Sequence, residues 1–153
     1  QPPPAPVPAA APAVAPAQRM AEVQAAAAGD DRELDVQPLR DPQVEDLRQA
    51  AQAARTRGDL GVAGDDLNQA LMISPEDPAL LQERAEVALL QGEWERAEAL
   101  ARKAVQLGSK TGPLCRRHWA TIEQSQLARG QDLNAASAHA QIAACTVAGV
   151  QRY

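Results

Sequence analysis

One interval recurs through the middle of this chain and restricts its fold more than its composition does. Gly58 and Gly92 stand 34 residues apart, and so do Leu47 and Leu81, Ala51 and Ala85, Ala63 and Ala97, and Ala70 and Ala104. A fixed period of this size marks a chain of stacked supersecondary units, none of which can bury its apolar face alone. Each period carries its own punctuation. Asp41-Pro42 and Asp77-Pro78 are helix starts, each an N-cap acceptor before a proline whose missing N–H costs nothing in the first turn; Thr111-Gly112-Pro113 is a weaker version. Between them, Gly58-Asp59, Gly92-Glu93 and Gly130-Gln131 suit the end of one helix and the start of the next. The predicted helices are 42–57, 60–73, 78–91, 94–107, 113–129 and 132–147. Six helices joined by such short turns pack as antiparallel neighbours.

Residues on either side of this region read differently. Seven of the twelve prolines fall within the first sixteen residues, a density incompatible with helix or strand. Residues 1–16 are therefore expected to be a Pro/Ala-rich linker, with a polyproline-II reach on the order of 50 Å. Residues 17–40 are expected to hold a short helix over 17–28, with nothing obvious to pack against, and then an irregular connector. The helical domain spans 41–148 and a short tail spans 149–153. The domain is rich in Ala, Leu, Gln, Glu and Arg, all strong helix formers. With no Phe and one Tyr, a β domain is poorly supported. The fold class is all-α, an α-solenoid of about three helical hairpins.

The spacing and its residues resemble the tetratricopeptide repeat family, in particular short modules of bacterial periplasmic proteins or lipoproteins. In that family a large then a small residue on the first helix precede a Gly-Asp-aromatic turn. Small, large and small residues follow on the second helix, before a closing proline. Residues 44–77 show Leu47, Ala51, Gly58-Asp59-Leu60, Ala63, Leu67, Ala70 and Pro75. Residues 78–111 show Leu81, Ala85, Gly92-Glu93-Trp94, Ala97, Ala101 and Ala104, with Ser109 in place of the proline. The third unit departs: Gly130 lies 38 residues after Gly92, and Trp119 stands where Ala51 and Ala85 stand. Its opposite helix is nearly all small (Ala135, Ala136, Ala138, Ala140) and is expected to absorb the indole. The resemblance implies a concave face, lined by the first helix of each unit, that holds a protein or peptide partner. The matching positions are Glu45, Arg48, Gln52 and Arg55, then Gln82, Glu86 and Leu89, then Arg116, Ala120 and Glu123. The Lys/Asn clamp by which some relatives hold a C-terminal carboxylate is missing.

Two cysteines and two histidines gather in the last unit. Cys115 and His118 share a helical face, but His139 and Cys145 lie six residues apart and do not converge on one ion, so no metal or other cofactor is expected. Cys115 lies fifteen residues before Gly130 and Cys145 fifteen after it. In a hairpin turning at Gly130 they sit at one height, each on an apolar stripe. A disulfide is the expected pairing; two buried free thiols are the alternative. The bond would place the chain in an oxidising compartment, the bacterial periplasm, held through its N-terminal tether to an anchor. Ser125 and Ser137 lack a paired base, there is no phosphate-binding glycine loop, and no enzyme activity is expected. A formal charge of −5 argues against a nucleic-acid partner, and no apolar run is long enough for a transmembrane helix. The function expected is an adaptor or scaffold for a protein or peptide partner in the bacterial envelope. The alternatives are a self-associating structural piece of an envelope complex and a cytoplasmic scaffold. The oligomeric state is left open.

Overall fold

A computed structural model describes residues 1–4, 13–28 and 39–146. Among them are seven helices and no strand: α1 (Pro16–Ala27), α2 (Pro42–Thr56), α3 (Leu60–Ile73), α4 (Pro78–Leu90), α5 (Trp94–Leu107), α6 (Pro113–Ala128) and α7 (Asp132–Ala144). The last six match the helices expected from the repeat to within a few residues at each end. Local chemistry explains the starts. Asp41 accepts from the Gln43 N–H at 2.8 Å, and Asp77 from the Ala79 and Leu80 N–H groups at 3.0 and 3.3 Å, so both caps satisfy donors that the helix leaves orphaned. Gly112 caps α6 without a side chain.

The three hairpin turns are one device repeated. At Gly58, Gly92 and Gly130 the backbone turns left-handed, with φ of 81°, 75° and 72°. The following N–H groups (Asp59, Glu93, Gln131) each return 2.9 Å to the carbonyl five residues earlier (Ala54, Ala88, Gln126). This 6→1 bond is the Schellman closure, and it favours a residue without Cβ at the left-handed position.

The hairpins α2/α3, α4/α5 and α6/α7 stack in order, α4 against α3 and α6 against α5. The small residues of the repeat form the crossings: Ala63, Ala70, Ala85, Ala97, Ala101 and Ala104 are all fully buried, which lets backbones approach at the short end of helix packing distances. Trp119 packs with Ala85, Ala101, Ile122 and Ala138. The fit differs from expectation, because Ala136 and Ala140 face outward. The indole instead borders a cavity of about 340 Å³ lined also by Glu98, Arg102, Gln126, Asn134 and Gln141.

Cys115 and Cys145 form a disulfide, with Cα atoms 5.7 Å apart. The bond joins the first turn of α6 to the end of α7. Beside it the Gly112 N–H donates to the Cys145 carbonyl at 2.8 Å, so the last hairpin is closed twice at its open end.

The main departure from expectation is α1. It has a surface to pack against: it lies along α6 and also touches α4. Arg19, Met20 and Val23 are buried and Pro16, Ala26 and Ala27 partly so, one stripe at helical spacing. Met20 and Val23 join a cluster with Ala88, Leu89, Ala97 and Ala120. The helix starts at Pro16, the last position assigned to the linker. Residues 5–12 of the linker, 29–38 of the connector and the 149–153 tail lie outside the described residues. Among those described, no helix is long and apolar enough to cross a membrane.

Candidate partner-binding face

The first helices of the three hairpins, α2, α4 and α6, are tied side by side through their side chains. Glu86, at the middle of α4 and 1% exposed, is the hub. Arg55 on α2 donates to its Oε1 at 3.0 Å. Arg117 on α6 donates through Nε to Oε2 at 2.8 Å and through Nη2 to Oε1 at 2.6 Å. Gln82, one turn earlier, donates from Nε2 to Glu86 Oε2 at 3.0 Å and to Thr121 Oγ1 at 2.8 Å. The Gln82 carbonyl oxygen is then left to accept from His118 Nδ1 at 2.8 Å, which fixes the proton of a neutral imidazole on Nδ1. Burial pushes the Glu86 carboxyl up, but bonds and charge from Arg117, Gln82 and Arg55 outweigh it, and its pKa ends below the ordinary value. Nearer the start of α4, Arg48 Nε donates to both Glu83 oxygens at 2.7 and 2.9 Å and Arg48 also pairs with Glu45. Burial pushes Glu83 up against the opposing charge of Arg48.

Towards α6 the same face becomes apolar and is filled by α1, which runs antiparallel to α6. At one end Arg19 donates to the Gln124 side-chain oxygen at 3.2 Å and lies 5.6 Å over the ring of Trp94. Leu89, Ala88 and Ala120 floor the middle beneath Met20 and Val23. At the other end Arg116 donates to the carbonyls of Ala26 and Ala27 at 3.0 and 3.2 Å, capping the orphan C-terminal acceptors of α1. Glu123 accepts from His139 Nδ1 at 2.6 Å. Burial raises its carboxyl, and Glu22 of α1 adds to the rise.

No family model matches the sequence, and no curated protein matches it. Among solved structures, the globular C-terminal domain of LpoP from P. aeruginosa is similar, with a TM-score of 0.64 and 30% sequence identity. The match covers 99% of that domain and 69% of this chain. The chain belongs to the LpoP C-terminal domain family.

In this LpoP-type domain, the face expected from sequence is partly a surface and partly an interior. Glu45, Arg48, Gln52 and Arg55 line the α2 side; Gln52 is exposed, and the others are half-buried within the ion pairs. Gln82 and Glu86 are buried in the hub, and Leu89, Arg116 and Ala120 are covered by α1. In this structure Gln82 and Glu86 join the helices through the hub, and the chain's own α1 covers Leu89, Arg116 and Ala120. Arg117, His118, Thr121 and Glu83 belong to the constellation but were not expected there. The missed signal is an alternation of charge, since Arg55, Glu86 and Arg117 follow one another at intervals of 31 residues.

His118 makes this hub sensitive to acid. Burial, with Glu86 opposing, pulls its pKa down from 6.5 to about 4. The folded state therefore binds fewer protons than the unfolded chain between those values. The contribution is fully present above about pH 6.5 and is lost as the pH falls towards 4, a difference of about 3 kcal/mol. His118→Asn keeps a donor near the Nδ1 position and removes the titration. The urea midpoint of the wild type should fall more steeply from pH 7 to pH 4.5 than that of His118→Asn. Parallel profiles would show that the imidazole is hydrated.

Proposed function

We propose that this LpoP-type domain is a non-catalytic, tetratricopeptide-type adaptor that binds a protein or peptide partner in the bacterial envelope. The observation that carries the reading is the groove between α4 and α6, whose width suits a helix because α1 lies in it with its apolar stripe down. A preformed groove with apolar floor and polar ends is one of the recurrent ways of receiving an amphipathic helix. The α2 side extends the same face with Gln52 exposed and the Arg48 and Arg55 ion pairs at its edge. The Cys115–Cys145 bond supports the compartment, because such bonds persist in the periplasm and are rare in the bacterial cytosol. The proline-dense segment supports a spacer role.

A photoreactive residue at Gln52 should cross-link to a protein partner in intact envelopes of the native cell. The same residue at Gln106, exposed on α5, should give little product. Cross-linking from Gln106 alone, or from neither position, would remove the partner from this face.

A further inference from the structure

α1 is an imperfect occupant of the groove it fills. It has twelve residues, no side-chain N-cap, no acidic residue in its first turn and no basic residue in its last, and an isolated helix of that length is marginal in water. Arg19 Nε is buried without a hydrogen-bond partner. Glu22, exposed on α1, adds a like charge to the surroundings of Glu123, whose partner is His139 at 2.6 Å. The receiving surface, in contrast, belongs to helices that are held by the stack: Leu89, Ala88 and Ala120 on its floor, Trp94 and Gln124 at one end, Arg116 at the other.

We propose that the α4–α6 groove exchanges α1 for a partner helix of defined chemistry, an inference that rests on the adaptor reading above and names its ligand class. The partner is an amphipathic helix lying antiparallel to α6. It sets a cation over Trp94, apolar residues one and four positions later, and small residues seven and eight positions later, with its last carbonyls on Arg116. Three positions after the cation, where α1 has Glu22, it carries a basic or neutral residue, which takes a like charge away from the neighbourhood of Glu123. Such a helix satisfies the site better than α1 does. α1, being tethered, competes at an effective concentration on the order of millimolar and keeps weaker sequences out.

The probe is a fluorescein-labelled peptide of residues 13–28, titrated into the full chain. Against Met20→Asp/Val23→Asp, in which α1 no longer seats, the peptide should bind at least tenfold more tightly than to the wild type. A Glu22→Lys version of the peptide should bind the double variant severalfold more tightly still. Equal affinity for wild type and double variant, or no binding to a double variant that unfolds cooperatively, overturns the proposal. Should the double variant not fold, Glu22→Lys in the full chain carries the test. Amide exchange over residues 17–27 should then slow severalfold while α2 and α3 are unchanged, and unaltered exchange counts against the proposal. Neither readout uses the natural partner, so a negative result at Gln52 and a negative result here are separable.

Discussion

Glu86→Ala should lose about 3–5 kcal/mol of stability, seen as a large fall in the urea midpoint monitored by far-UV circular dichroism. The size follows from what is left behind. Removing the carboxylate deprives the half-buried guanidinium groups of Arg55 and Arg117 and the buried Gln82 amide of their shared acceptor, and breaking a buried pair by removing one partner is expensive. The same measurement contains its own control. Arg102 pairs with Glu98 at 2.9 Å, but its side chain is about half exposed, and Arg102→Ala should cost no more than about 0.5 kcal/mol. A Glu86→Ala midpoint near the wild type would mean that the two guanidinium groups swing out to water, and that the hub does not set the register of the three hairpins.

The second large effect belongs to the disulfide. Cys115→Ala/Cys145→Ala should cost about 3–4 kcal/mol, the loop-entropy value for closing about 30 residues. The melting temperature should fall on the order of 10 °C or more. The loss concentrates in α6 and α7, because the last hairpin has no described neighbour beyond it and Leu133 is 88% exposed on its outer side. Reduction of the wild type with dithiothreitol should reproduce the shift. Identical melting of the oxidised and reduced proteins would assign the bond no stabilising role. Two alkylatable thiols in protein taken from a periplasm would remove the compartment argument as well.

The parts of this fold that could be read from sequence are those fixed by local chemistry. The Asp-Pro starts and the Gly turns announce themselves within three or four residues, so α2 to α7 could be placed with little error. The disulfide was legible because Cys115 and Cys145 are symmetric about Gly130, and an antiparallel hairpin turns that symmetry into proximity. The helix of α1 was expected over 17–28, but its docking was missed for the opposite reason. Its stripe of Arg19, Met20, Val23 and Ala26 is short and set among alanines, and the surface it uses exists only once α4 and α6 are side by side. The hub was half legible. Arg55, Gln82 and Glu86 followed from helix position, but the choice between Arg116 and Arg117 depends on which way each side chain leaves α6. Arg116 turns to the end of α1 and Arg117 to Glu86, a difference of about 100° around the helix that a repeat alignment does not resolve.

The placement of Arg19 over Trp94 gives the molecule an optical signature. The chain has two tryptophans: one lies under a residue of α1 and the other, Trp119, is packed between the second and third hairpins. Indole emission depends on the water and charge beside the ring, so the two report on different events. With Trp119 replaced by Phe, the remaining fluorescence is a direct gauge of whether α1 is seated, readable on the microsecond-to-millisecond scale of helix docking and release. Occupancy of the groove can therefore be followed in real time without attaching a dye.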